Sequence, residues 1–111
     1  MYLLENEDER MFVDQLRRMV DDKVAPRAAE IDEKGEFPWD LKDIFAGMGL
    51  LGLSVPEQYG GTSQGHKYTC LAVEEIARVC ASSSLIVQGQ SLAWESVLIG
   101  GTEEQKKKYG P

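Results

Sequence analysis

Apolar side chains recur at helical spacing along the first third of the chain. Between positions 12 and 31 they mostly fall three or four residues apart, which places them on one face of a helix with about 3.6 residues per turn. The stripe consists of Phe12, Leu16, Met19, Val20, Val24, Ala28 and Ile31. The pattern predicts a helix from about Asn6 to Lys34 with one side against a core. Pro26 lacks a backbone N–H, so a kink or short break is expected near Val24.

The rest of the chain keeps this spacing and shows no long strand-like alternation. Pro38 is placed to open a second helix that stops near Gly49, and a third is expected over residues 65–80. The fourth, residues 84–99, is apolar almost all round, and the serines before it are expected to cap its first turn. A short fifth helix ends at Lys108. The predicted fold class is therefore all-α, a bundle of four main helices plus a short fifth.

Length and charge exclude several classes of protein. A chain of 111 residues forms one domain with one core, and a net charge of -7 argues against a nucleic-acid partner. The longest apolar stretch, residues 85–101, is interrupted by Gln88 and Glu95, so no membrane span is expected. The N-terminus has no basic region followed by an apolar one, so no secretory signal is expected. A cytoplasmic location is preferred, with the mitochondrial matrix as the alternative.

The chain has few residues that could act in catalysis or bind a metal ion. His66 is the single histidine, and the two cysteines, Cys70 and Cys80, are predicted to lie too far apart on one helix to pair. They are interpreted as reduced and mostly buried thiols, and no zinc site is expected. Glu74 and Glu75 are adjacent carboxylates that point in different directions on a helix, so they do not form an acid–base pair. One is expected to be solvated and the other partly packed.

Five segments, in order, resemble the N-terminal helical domain of acyl-CoA dehydrogenases. Their sequences include VAPRAAEID, GEFPW, MGLLG followed by VPEQYGG, EEIAR and GTEEQKKKY. They occupy residues 24–32, 35–39, 48–61, 74–78 and 101–109. The resemblance implies that residues 1–111 form that domain, and that the parent protein also has a middle β domain and a C-terminal helical domain.

The resemblance also implies an activity for the parent protein. Members of this family use FAD to introduce an α,β double bond into acyl-CoA thioesters, and they are typically homotetramers. The segments that supply the catalytic base and the flavin site are expected to lie beyond residue 111. No residue here is therefore assigned as catalytic, flavin-binding or metal-binding, and the chain by itself is expected to bind no FAD and to be inactive.

Two family functions map onto this domain. The first is part of the wall of the acyl pocket, at Ser84, Leu85, Gln88, Gly89 and Leu92. The extra apolar face of the predicted fourth helix agrees with that role, because such a face needs something to cover it.

The second is the docking of electron-transfer flavoprotein, which reoxidises the flavin. The matching positions are Phe12, Leu16, Leu50 and Ala72. Thr62 and Gln64 stand at two further pocket positions where the family commonly has apolar residues. Plain core packing is an equally good interpretation of Phe12, Leu16 and Leu50.

A different class of function stays open beside the enzyme. The chain can also be interpreted as a stand-alone helical interaction module derived from that domain. It would then use the exposed face of the fourth helix to bind a partner or to self-associate. Exposed apolar surface predicts self-association under either hypothesis.

Overall fold

The computed structural model describes residues 6–109, and every regular element within that range is helical. The α-helices are α1 (Glu7–Met19), α2 (Ala28–Lys34), α3 (Trp39–Gly47), α4 (His66–Ala77), α5 (Ala81–Gly100) and α6 (Glu103–Tyr109). The all-α prediction is confirmed, with α1 and α2 as the two parts of the broken first helix. No helix within residues 6–109 is long and apolar enough to cross a membrane. The N-terminal start that bears on a secretory signal lies outside the described residues.

The break in the first helix falls where the sequence predicts it. Asn6 caps α1, because its side-chain oxygen accepts a hydrogen bond of 2.9 Å from the backbone N–H of Glu9. After Met19 the chain makes a π-helical turn, Val20–Val24, and then a 3₁₀ turn that contains Pro26. Gly35 ends α2 with a φ of 65°, the left-handed conformation that favours glycine.

The boundary between α4 and α5 differs from the prediction. α4 ends at Ala77, three residues before Cys80, and Cys80 itself has an extended backbone and precedes α5. The predicted capping role of the serines was wrong, because they lie inside α5. The Ser84 hydroxyl donates to the Ala81 carbonyl at 2.6 Å, and the Ser83 hydroxyl lies 3.1 Å from the Cys80 sulfur. Both hydroxyls therefore have hydrogen-bonding partners at the N-terminal end of α5.

The main core lies between α1, the π-helical turn, α3, α4 and α5. Leu16, Val20, Phe45, Ile76 and Val87 are each no more than 2% exposed and belong to one contiguous apolar cluster. The stripe that predicted the first helix therefore marks its buried face. Burial of such side chains contributes about 1.5–3 kcal/mol each.

A smaller cluster lies beneath the second half of α5. Val55, Tyr59 and Trp94 are buried there, and the rings of Tyr59 and Trp94 are 5.7 Å apart. The Tyr59 hydroxyl donates to a carboxylate oxygen of Glu103 at 2.8 Å. This hydrogen bond raises the pKa of Tyr59 and lowers the pKa of Glu103. The contact ties α6 to the loop that precedes α4.

The carboxylate of Glu75 is fully buried. Glu75 is 0% exposed, and one of its oxygens accepts hydrogen bonds from Nε of Arg17 at 2.9 Å and from Nε of Arg78 at 3.0 Å. Arg78 also donates to Asp21, and chiefly for that reason its pKa is raised. Glu74 is exposed as predicted, but the prediction that its neighbour is only partly packed was wrong. The ion pairs join α4 to α1 and to the π-helical turn.

The loop between α3 and α4 depends on glycines. Gly60 has a φ of 93°, the left-handed conformation that favours glycine. Gly61 is required for a different reason, because a Cβ at this position would lie 2.1 Å from the carbonyl oxygen of Val55. The backbone N–H of Thr62 donates to the carbonyl of Gly52 at 3.0 Å. The loop therefore folds tightly back on its own backbone.

Candidate functional site

A groove of about 480 Å³ runs between α4 and α5. We call it the α4–α5 groove. It is lined by His66, Thr69, Cys70, Val73, Glu74, Gln88, Ser91, Leu92 and Glu95.

Helical periodicity explains why these side chains meet. On α4 the lining residues recur every three or four positions, from His66 through Cys70 to Val73, and α5 contributes a second such row. Nε2 of His66 lies 3.0 Å from a carboxylate oxygen of Glu95, which closes one end of the groove. The two helices therefore supply one wall each.

The lining favours a neutral group with an apolar body. Val73 and Leu92 offer apolar surface, and Gln88 adds an amide that can donate and accept hydrogen bonds. The acidic residues are Glu74 and Glu95, and no lysine or arginine is among the lining residues. A phosphate group would meet these carboxylates with no lysine or arginine to pair with, and His66 already contacts Glu95. The donor set therefore does not fit the pyrophosphate of FAD.

The structure brings together part of the predicted acyl-pocket wall. Gln88 and Leu92 line the α4–α5 groove. Ser84 is buried at 4% exposure, whereas Leu85 and Gly89 are exposed outside the groove. Ser84 and Leu85 lie about one turn closer to the N-terminus of α5 than Gln88, the first α5 residue in the lining, and Gly89 has no side chain with which to reach the groove.

Sequence reasoning missed the contribution of α4 to this groove. Cys70 was expected to be mostly buried, but it is exposed and lines the groove, whereas Cys80 is buried as expected. Both thiols are free. The sequence pattern that could have indicated this is the helical spacing of His66, Cys70 and Val73, which places them on one face of α4. Within residues 6–109, no cluster of three or more His, Cys, Asp or Glu side chains could hold a metal ion.

A second groove, of about 360 Å³, lies between α1 and the loop that follows α3. We call it the α1–loop groove. It is lined by Asp8, Met11, Phe12, Gln15, Met48, Gly49, Leu53, Thr62, Gln64 and Tyr68. The rings of Phe12 and Tyr68 meet edge to face, with centroids 4.8 Å apart.

The predicted docking residues divide between this groove and the core. Phe12 lines the α1–loop groove, and so do Thr62 and Gln64, the two positions that depart from the family pattern. Three others do not reach the surface. Leu16, Leu50 and Ala72 are 1%, 2% and 0% exposed and belong to the main core. Core packing therefore describes these three positions, because they lie on the inward side of their helices and turns.

Comparison with known proteins places the chain among acyl-CoA dehydrogenases. It is 39% identical over 103 residues to cyclohex-1-ene-1-carbonyl-CoA dehydrogenase of Geobacter metallireducens, a match that covers 93% of this chain and 27% of the relative. It is 35% identical over 112 residues to the mitochondrial isovaleryl-CoA dehydrogenase of Solanum tuberosum, covering 98% of this chain and 27% of the relative. The chain thus spans about a quarter of the length of these curated relatives.

Solved structures agree. The butyryl-CoA dehydrogenase of Megasphaera elsdenii matches with a TM-score of 0.82 and 29% identity, covering 99% of this chain and 30% of that one. A chain from a structural study of the electron transferring flavoprotein of Acidaminococcus fermentans matches with a TM-score of 0.88 and 31% identity, covering 99% of this chain and 29% of that one. The sequence profile described as "Acyl-CoA dehydrogenase, N-terminal domain" matches residues 6–111. The chain therefore belongs to the acyl-CoA dehydrogenase family and corresponds to its N-terminal domain.

Proposed function

We propose that this domain supplies part of the wall around the acyl group in an enzyme that dehydrogenates acyl-CoA thioesters with FAD. The observation that carries the proposal is the α4–α5 groove, where Gln88 and Leu92 stand beside apolar surface from α4. Both positions match the acyl-pocket wall that the family resemblance implies. We place the acyl chain along this groove.

The side chains of the groove suit the acyl end of an acyl-CoA and disfavour its nucleotide end. Each methylene removed from water contributes about 0.8 kcal/mol, so Val73 and Leu92 favour an alkyl or alicyclic group. Gln88 can hydrogen-bond a polar atom on that group. Glu74 and Glu95 repel the phosphates of coenzyme A, so the nucleotide end lies elsewhere.

The flavin chemistry belongs to the rest of the proposed enzyme. The α4–α5 groove does not fit FAD, and no described residue is assigned to the catalytic base. We therefore expect the 111-residue chain by itself to hold no flavin and to leave acyl-CoA unoxidised. Its own contribution is to position the acyl group and to exclude water from it.

Acyl occupancy of the α4–α5 groove is testable through Cys70, which lines the groove. Octanamide, a neutral amide with no reactive thioester, is expected to slow alkylation of Cys70 by iodoacetamide as its concentration rises. Cys80 is the internal reference because it is buried. The measurement is the alkylation rate of each cysteine, followed by peptide mass spectrometry.

The matched variants are Leu92→Asn and Leu85→Asn. Both leucines are similarly exposed on α5, at 63% and 60%, but only Leu92 lines the groove. Leu92→Asn is expected to weaken the protection about tenfold, as the loss of apolar contact worth about 1.5 kcal/mol implies. Leu85→Asn is expected to leave it unchanged. Absence of protection in the wild-type chain, or equal loss in both variants, would reject the acyl site.

A second proposed role is the docking of an electron-accepting flavoprotein at the α1–loop groove. Met11 and Met48 are 53% and 40% exposed and lie beside Phe12 in its wall. Methionine side chains adapt well to an apolar partner surface. The groove therefore suits an apolar side chain presented by the partner, with Thr62 and Gln64 contributing polar contacts.

Charge placed in the α1–loop groove is expected to weaken that docking. Met11→Asp introduces a carboxylate where the partner would bury an apolar side chain, and binding is expected to fall at least about tenfold. The measurement is calorimetric titration with a purified electron-transferring flavoprotein. Phe37→Asp is the control, because Phe37 is 49% exposed but does not line the groove. Failure of the wild-type chain to bind, or the same loss in the control, would contradict this role.

A further inference from the structure

Asp8 is the single charged residue among the described residues that line the α1–loop groove. It shares one face of α1 with Met11, Phe12 and Gln15, which also line the groove and follow it at helical spacing. Asp8 is exposed and lies one turn before Met11 and Phe12. A negative charge therefore stands at one end of the wall that α1 contributes to the groove.

No lysine, arginine or histidine of residues 6–109 forms an ion pair with Asp8. Lys67 precedes the groove residue Tyr68 on α4, but its Nζ lies 3.0 Å from a carboxylate oxygen of Glu9, which is 4% exposed. Asp8 interacts favourably with the N-terminal end of the helix dipole, and Glu7 in the same turn shares that role. The Asp8 carboxylate itself is therefore hydrated in the free domain.

A partner that fills the α1–loop groove would remove water from Asp8. The side chain that packs against Met11 and Phe12 would displace the water beside the carboxylate, because all three residues share one wall. An ionised carboxylate that loses its water without gaining a partner is strongly unfavourable. A lysine or arginine on the partner would compensate for that loss. The net charge of -7 on the chain also attracts a partner with a basic surface.

We propose that the electron-accepting flavoprotein which docks at the α1–loop groove carries a basic side chain that pairs with Asp8. This side chain lies beside the apolar one that enters the groove. The inference rests on the docking role proposed above and adds the charge of the partner to it. Asp8 then helps to select the partner, because a flavoprotein without this cation would leave the carboxylate desolvated and unpaired.

Reversal of the charge at Asp8 tests the pair. Asp8→Lys is expected to lower the affinity for a purified electron-transferring flavoprotein at least about tenfold, because it places two like charges together. Glu7→Lys is the matched control, since Glu7 is an exposed carboxylate in the same turn of α1 but does not line the groove. It is expected to change the affinity less than about threefold. The measurement is calorimetric titration at low salt, with circular dichroism to compare the folding of the two variants.

The salt dependence of the association rate provides a readout that a purely structural role of Asp8 would not change. Charges at the edge of an interface act mainly on the rate of association, and salt screens them. The wild-type chain is expected to associate at least about threefold faster than Asp8→Asn at about 0.01 M salt. At about 1 M salt, where the screening length is about 3 Å, the two rates are expected to be equal. Stopped-flow mixing with the same flavoprotein measures both rates.

Two results would overturn the basic partner residue. One is an equal loss of affinity in Asp8→Lys and Glu7→Lys, and the other is a wild-type chain that associates no faster than Asp8→Asn at low salt. In both cases the wild-type chain still binds, so the docking role of the α1–loop groove would survive. Failure of the wild-type chain to bind the flavoprotein would instead reject the docking role, and the ion pair with it. The two failures are therefore distinguishable.

Discussion

Replacing Gly61 with alanine is expected to destabilise the domain by about 3 kcal/mol. The new Cβ would lie 2.1 Å from the carbonyl oxygen of Val55 and 2.3 Å from its Cβ, so the backbone itself must move. That movement would disturb the hydrogen bond from the N–H of Thr62 to the carbonyl of Gly52. The measurement is the free energy of unfolding in urea.

Gly47→Ala is the matched control for this experiment. Gly47 ends α3, and a Cβ there meets nothing within 4 Å. Because alanine favours a helix more than glycine does, this change is expected to be neutral or to stabilise by up to about 1 kcal/mol. If the two variants unfold at the same urea concentration, the close approach of Gly61 to Val55 does not determine the stability of the loop.

Phe45→Ala is expected to be at least as damaging. Phe45 is the largest of the side chains that the described core buries completely, at 0% exposure. Its truncation removes apolar contacts and leaves a cavity, which costs about 3–5 kcal/mol for a buried phenylalanine. Thermal unfolding followed by circular dichroism measures the loss as a lower Tm.

Phe37→Ala makes the same chemical change at an exposed position. Phe37 is 49% exposed and contacts the ring of Trp39, with centroids 4.5 Å apart. Its loss is expected to cost no more than about 1 kcal/mol, the contribution of an exposed aromatic pair. Equal destabilisation by the two substitutions would mean that Phe45 does not occupy the centre of the core.

Local sequence signals predicted most of the helical architecture. The stripe from Phe12 to Ile31 marked a buried face and Pro26 marked a break, because each of these acts within a few residues along the chain. The reciprocal hydrogen bonds between Thr102 and Gln105 at the start of α6 are equally local.

Features that depend on distant parts of the chain were not predictable in this way. Full burial of Glu75 depends on Arg17, which lies 58 residues away. A carboxylate on a helix normally stays in water, and only the folded structure shows that a guanidinium from α1 reaches it.

The residues of the two candidate sites were only partly predictable from the sequence. Gln88 and Leu92 were predicted on the acyl-pocket wall together with Ser84, which lies one turn of α5 before Gln88 and about two turns before Leu92. Helical spacing alone does not separate Ser84 from the other two. Leu16 and Phe12 pose the same problem on α1. They belong to one apolar stripe, yet Phe12 lies at its edge beside the α1–loop groove and Leu16 lies within the core. Which edge of a stripe meets a groove depends on the neighbouring elements.

The π-helical turn, Val20–Val24, fixes the spacing between the two halves of the first helix. It accommodates one residue more than an α-helical turn would need, and the wide turn absorbs that residue with little change in the direction that later residues face. In a regular α-helix one extra residue would rotate everything after it by about 100°. Ile31, now 6% exposed, would then turn away from the core. The wide turn therefore keeps the apolar residues of α2 in phase with those of α1.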